Sequence, residues 1–135
     1  MCRRLMILIV DNDPTFLGEA TTFLTSKDER VLCAPNASRA IDLIKNIGSE
    51  FGVVLVDRVL RDSGGLDLIS AIRDLDASLP TIAIGGAASD EVLESTKLLG
   101  AKEVLRKPVD DDWLVAIERV RRYRSPGNHE PVLYS

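Results

Sequence analysis

The chain has 135 residues, 45% of them apolar and 28% charged, with a formal net charge of −4. That length suits one domain with a substantial core and is short for two. The acidic excess argues against a dedicated nucleic-acid binder, which needs a basic surface to meet phosphates.

The longest apolar run falls far short of a membrane span. Arg3 and Arg4 imitate the charged start of a secretion signal, but the apolar stretch behind them stops at Asp11. Cys2 and Cys33 are too few for a disulfide framework or a zinc site, which suits a reduced, cytoplasmic protein.

In chain order, the first element is the apolar run Leu5–Val10, which leads straight into Asp11-Asn12-Asp13. Such continuous Val/Ile/Leu runs mark strands covered on both faces. Asp13-Pro14 then combines a capping side chain with a proline at the first helical position, and Leu17, Ala20 and Leu24 give the helical stripe. Val31–Ala34 is the second strand. Ser38 stands ahead of the stripe Ile41, Ile44, Ile47, and Gly48 and Gly52 stand where a helix should end. Val53–Val56 delivers Asp57, and Leu66, Ile69 and Ile72 form the third helical stripe.

Thr81–Ile84 runs into Gly85-Gly86. Ser89-Asp90-Glu91 then opens a fourth helix carrying Val92 and Leu99, with Gly100 as its stop. Glu103–Arg106 leads into Lys107-Pro108, and Leu114, Ile117 and Val120 mark the fifth helix. Five strand–helix repeats predict a parallel sheet with helices on both faces. Right-handed crossovers with one reversal of winding give a flavodoxin-like, doubly wound α/β fold of strand order 2-1-3-4-5 with five helices. Residues 1–124 form the domain, and 125–135 have the composition of a flexible tail or linker.

In an open α/β sheet, ligands gather beyond the carboxyl ends of the strands. Those ends carry Asp11, Asn12 and Asp13 on the first strand, Asp57 on the third, Gly85 and Gly86 on the fourth, and Lys107 on the fifth. Neighbouring first and third strands would bring Asp11 and Asp57 into one pocket, with Lys107 alongside. Crowded carboxylates call for a cation, and an oxygen-rich cluster suits Mg²⁺. A carboxylate beside Mg²⁺ and a lysine can attack phosphorus. Asp13 reads instead as a helix cap.

Together these pieces resemble the receiver domain of bacterial two-component response regulators, of the chemotaxis-regulator type. The resemblance spans roughly Leu5 to Arg122 and rests on "ILIVDNDP", "VVLVDRVLRDSGGLDLISAIR", "LPTIAIGG" and "LLGAKEVLRKPVDDDWLVAIERV", in that order. It implies phosphorelay signalling: Asp57 accepts a phosphoryl group from a histidine kinase or phosphotransfer protein. Mg²⁺ is then held by Asp11, Asn12, Asp57 and the backbone carbonyl of Val59, and Lys107 attends the transfer. A signalling domain of this kind is no enzyme beyond its own phosphoryl transfer. The resemblance also implies a downstream protein or output domain.

Four positions depart from the family pattern. Asn12 replaces an acid, so the Mg²⁺ site loses a charge and is expected to bind weakly. Gly85 stands where a Ser or Thr hydroxyl meets the phosphoryl group, which leaves the backbone amides of Gly85 and Gly86 as substitutes. Val104 replaces a switching aromatic, and Arg61 a proline. The sequence therefore leaves open a second reading, a divergent receiver that works as a phosphorylation-independent interaction module. A flavin or nucleotide binder of the same fold fits worse, because Asp11-Asn12-Asp13 stands where a phosphate-binding glycine loop would be.

The fourth helix, fifth strand and fifth helix carry Lys97, Lys102, Arg106, Asp110, Asp111, Asp112, Arg119 and Arg122, mixed charges that suit a homodimer face. Arg119, Arg121, Arg122 and Arg124 make a basic helix end, read as favouring the helix dipole and as the start of a linker.

Overall fold

The structure, a computed structural model, describes residues 5–58, 60, 64–85, 96–97 and 99–124. Five parallel strands form one sheet in the order β2-β1-β3-β4-β5. They are β1 (Met6–Val10), β2 (Val31–Ala34), β3 (Phe51–Asp57), β4 (Thr81–Gly85) and β5 (Ala101–Arg106). Four α-helices are described: α1 (Pro14–Thr25), α2 (Ala37–Ile47), α3 (Gly65–Leu75) and α4 (Asp111–Arg121). Five helices were expected. The segment that would hold the remaining one, with Ser89 and Val92, lies mostly within residues 86–95, outside the described residues. None of the described helices is long and apolar enough to cross a membrane.

The central strands are buried throughout, which explains their unbroken apolar runs. Alternation along each strand divides the core in two. Leu8, Val10, Val54, Val56 and Ala83 pack with Ala40, Ile44, Ile69 and Ile72 of α2 and α3. On the opposite face, Ile7, Ile9, Val53, Leu55, Ile82 and Ile84 pack with Phe16, Ala20 and Leu24 of α1 and with Trp113, Ile117 and Val120 of α4. The edge strands β2 and β5 are only partly buried. Burying a side chain of Leu or Ile size stabilises by about 1.5–3 kcal/mol, so these two clusters fix the register of the central strands.

Caps set where the helices begin. The Asp13 side chain accepts from the Thr15 amide at 3.0 Å, with Pro14 in the first turn. For α2 the capping residue is Asn36, which accepts from the Arg39 amide at 2.8 Å. Ser38 was expected ahead of the helix and lies inside it, because Asn36 in extended backbone starts the helix earlier. Asp110 caps α4 by accepting from the Asp112 amide at 3.0 Å.

Gly52 does not end a helix. It lies within β3, where the register with β1 skips from Met6↔Phe51 to Ile7↔Val53, so Gly52 is the extra residue of a bulge. Gly100 has φ +125°, and its amide donates to the Lys97 carbonyl just before β5.

The far end of α4 is held by ion pairs. Arg121 pairs with Glu29 at 2.9 Å. Arg124, only 4% exposed, donates to Asp76 and to Ser78, both at 2.7 Å, and to the Gly48 carbonyl at 3.1 Å. Arg119 pairs with Glu103 at 3.1 Å. The basic helix end expected to begin a linker is thus largely spent on fastening α4 to the domain. Residues 125–135 lie outside the described residues.

Candidate functional site at the carboxyl ends of the strands

Asp11 follows β1 directly and is completely buried. Its amide donates to the Ala34 carbonyl of β2 at 3.1 Å, which fixes the backbone. Asp11 Oδ1 accepts from the Asp13 amide at 2.9 Å. Oδ2 lies 2.8 Å from Lys107 Nζ as an ion pair, yet it receives no well-directed hydrogen bond. Asp57 closes β3 at 8% exposure, and its carboxylate lies 3.5 Å from the same ammonium. One lysine therefore bridges two carboxylates delivered by the two central strands. Asn12 is partly exposed beside them.

Glycine shapes the approach to Asp57. The Gly65 amide donates to the Arg58 carbonyl at 3.1 Å, and a Cβ at Gly65 would lie 1.8 Å from the Asp57 carbonyl oxygen. Only glycine lets α3 begin this close to the end of β3.

Lys107 is positioned from several sides. Its amide meets the Gly85 carbonyl at 3.4 Å, and the bond to Pro108 is cis. The ammonium sits 4.3 Å from the centre of the Phe16 ring, a cation–π contact. Phe16 packs on Trp113 with centroids 5.8 Å apart, and Trp113 Nε1 donates to the Arg106 carbonyl at 2.9 Å. Burial alone would lower the pKa of Lys107. The Asp11 and Asp57 carboxylates outweigh it and hold the ammonium above its ordinary 10.5.

The structure thus brings together Asp11, Asp57 and Lys107. Gly85 ends β4 in register with Arg106. Val59 and Gly86 lie outside the described residues, as does Arg61. Val104 is partly buried and packs against the cluster that faces α2 and α3.

Among the described residues no group of three or more acids, histidines or cysteines could hold a metal. Two carboxylates still suit a cation that keeps most of its waters, as Mg²⁺ does. The buried Asp11 Oδ2, paired with the Lys107 ammonium at 2.8 Å, is the atom that a bound cation would share with the lysine.

Two residues were not anticipated. Phe16 is one, and its apolar character gave no hint of a role beneath the lysine. The other is Arg58, whose guanidinium lies over Gly85. The absence of a side chain at 85 was the only signal in the sequence for that placement.

The sheet order and the two acids and lysine at its strand ends define the class as a doubly wound, flavodoxin-like α/β domain with a charged rim. The family profile of the response regulator receiver domain matches residues 7–119, and the chain belongs to that family. It is 32% identical over 120 residues to an uncharacterized 14.6 kDa protein of Leptolyngbya boryana, covering 87% of this chain and 88% of that one.

Of other curated relatives, the chain spans between 18% and 64% of their length. The CheY-like receiver domain protein of Methanospirillum hungatei is similar in structure, with a TM-score of 0.79 at 29% identity, over 88% of this chain and 95% of that one. The CheY of a CheX–CheY–BeF3–Mg²⁺ complex from Borrelia burgdorferi superposes with a TM-score of 0.78 at 22% identity, over 84% and 86% of the two chains. The chain is accordingly a receiver domain of two-component signalling.

Proposed function

We propose that this receiver accepts a phosphoryl group on Asp57 from a histidine kinase or phosphotransfer protein, with Mg²⁺ held weakly by Asp11, Asn12 and Asp57 and by the carbonyl of Val59. The observation that carries the reading is Lys107 Nζ lying 2.8 Å from Asp11 and 3.5 Å from Asp57. An Asp57 oxygen attacks phosphorus in line, the O–P bond forms as the P–N bond of the donor breaks, and the imidazole leaves with its proton. Bound Mg²⁺ would supply charge neutralisation on the transferring group. Lys107 turns from the Asp57 carboxylate to the phosphoryl oxygens while keeping Asp11, and Asp11 stays in place through its backbone bonds. The Gly85-Gly86 backbone amides, at the carboxyl end of β4 in the sequence, are the candidates for further donors.

The test uses acetyl phosphate with Mg²⁺ on the wild type and on Asp57→Asn, read by intact mass. Addition of one phosphoryl group to the wild type alone supports the reading. A fully folded wild type that stays unmodified at millimolar Mg²⁺ overturns it.

The second reading, a phosphorylation-independent interaction module, draws on Asn12 in place of an acid and on the ion pair that already closes the site. It predicts partner binding unaffected by Asp57→Asn. Under either reading we place the protein in the cytoplasm, with a downstream protein or output domain as target. Homodimerisation would use the face of β5 and α4, where Lys102, Arg106 and Asp110–Asp112 are exposed.

A further inference from the structure

The end of β4 has an unusual cover. An ideal Cβ on Gly85 would lie 2.5 Å from Arg58 Nε, 2.8 Å from Nη2 and 3.0 Å from Cζ, so the guanidinium rests directly on the glycine. Any side chain at 85 would displace it. Arg58 is itself pinned at the backbone, its amide donating to the Ile84 carbonyl at 3.0 Å and its carbonyl accepting from Gly65 at 3.1 Å. Its Nε is buried and finds no hydrogen-bond acceptor. Arg121 and Arg124 also have an unpartnered Nε, but their terminal nitrogens hold Glu29 and Asp76. The Arg58 side chain makes no ion pair among the described residues.

Position gives this cation a use. Gly85 lies on the rim between Asp57, which pairs with Ile84 in register, and Lys107, whose amide meets the Gly85 carbonyl. Asp11 and Asp57 share one ammonium, so the trio carries one net negative charge and Asn12 adds none. A phosphoryl group brings a charge of roughly −1.5 to −2 and three acceptor oxygens to that rim. A guanidinium with a free donor is the side chain best matched to such an anion.

We propose that Arg58 is an oxyanion ligand of this site, its guanidinium seated on Gly85 and donating to the oxygens of a phosphoryl group or of inorganic phosphate. The inference rests on the reading of Asp57 as acceptor and adds the cation that binds what Asp57 receives. Arg58 and Gly85 are then one unit: the glycine exists to make room for the arginine.

Two titrations of the full chain test it, both read by the fluorescence of Trp113, which touches Lys107 through Phe16. In the first, beryllofluoride with Mg²⁺ is titrated into the wild type, Arg58→Ala, Gly85→Ala and the double variant. Loss of one charge-assisted contact should weaken binding by about tenfold or more. Arg58→Ala and Gly85→Ala should weaken it alike, and the double variant should be no worse than either. Binding by folded Arg58→Ala as tight as wild type, or tighter, overturns the proposal and makes the arginine a bystander or a plug. Additive losses in the double variant also overturn it.

In the second, inorganic phosphate is titrated into Asp57→Ala with and without Arg58→Ala, where no acceptor is present. About tenfold weaker binding without the arginine supports the proposal, and equal binding overturns it. A wild type that takes no beryllofluoride defeats the acceptor reading alone, and the phosphate arm then decides on Arg58.

Discussion

Lys107→Met removes the one cation shared by Asp11 and Asp57 and leaves the apolar stem in place. Two unit charges 2.8 Å apart attract by roughly 6 kcal/mol at an effective dielectric of about 20. Dehydration of the three groups offsets much of this, and breaking a fully buried pair costs about 3–5 kcal/mol. With 31% of the lysine side chain open to solvent, about 2–3 kcal/mol of lost stability is expected at pH 7. Urea unfolding followed by far-ultraviolet circular dichroism reads the gap between variant and wild type.

Two further features identify its origin. Millimolar Mg²⁺ should restore part of the stability of Lys107→Met, because the uncovered carboxylates gain a replacement cation. The pH dependence follows from a folded pKa raised above 10.5. The lysine's contribution is fully present below 10.5 and disappears as the pH rises through the higher folded value. The gap should therefore stay constant below 10.5 and narrow above it. A gap that ignores Mg²⁺ and stays constant above 10.5 would refute the account, and a packing role for the stem would replace it.

Asn12→Asp should tighten Mg²⁺ binding by about tenfold, since ligand charge sets affinity for hard cations. Unchanged quenching of Trp113 by Mg²⁺ would remove Asn12 from the metal site. Asp13→Ala deletes the cap of α1 and should lower stability by about 1 kcal/mol with Mg²⁺ affinity kept, as thermal unfolding and the same titration can check.

Arg124→Met should cost about 2–3 kcal/mol at pH 7, from two charge-assisted bonds and a carbonyl left unpaired. Burial would raise the pKa of Asp76, but Ser78 and Arg124 outweigh it and hold it below 3.8. That contribution is present above 3.8 and is lost as the pH falls through the lower folded value, so the cost of Arg124→Met should shrink there. Urea unfolding at a series of acid pH values would expose a pH-independent cost.

The elements that position the site were legible because each leaves a local trace. Continuous apolar runs mark β1, β3 and β4 as covered on both faces, and Asp13-Pro14 marks the start of α1. The acids Asp11 and Asp57 were legible for the same reason, since each directly follows the apolar run of its strand. Ser38 and Gly52 misled because a cap and a bulge depend on where neighbouring backbone lies. Asn36 reaches the Arg39 amide first, and β1 forces an extra residue into β3.

Tertiary structure set the contacts between charges, although the strand order expected from the sequence already put Lys107 alongside Asp11 and Asp57. Lys107 lies 96 residues from Asp11 in sequence, by the difference of their numbers, and only sheet order brings its ammonium within 2.8 Å of the carboxylate. The same holds for Arg124, which no local pattern directs to Asp76. Gly85 shows the division best. In the sequence it is a missing hydroxyl, whereas in the fold it is the floor beneath the Arg58 guanidinium. Apolar periodicity is a property of single segments and survives in the chain's own order. Charge pairing acts through space over a few ångströms, so its partners are known only once the sheet has been assembled.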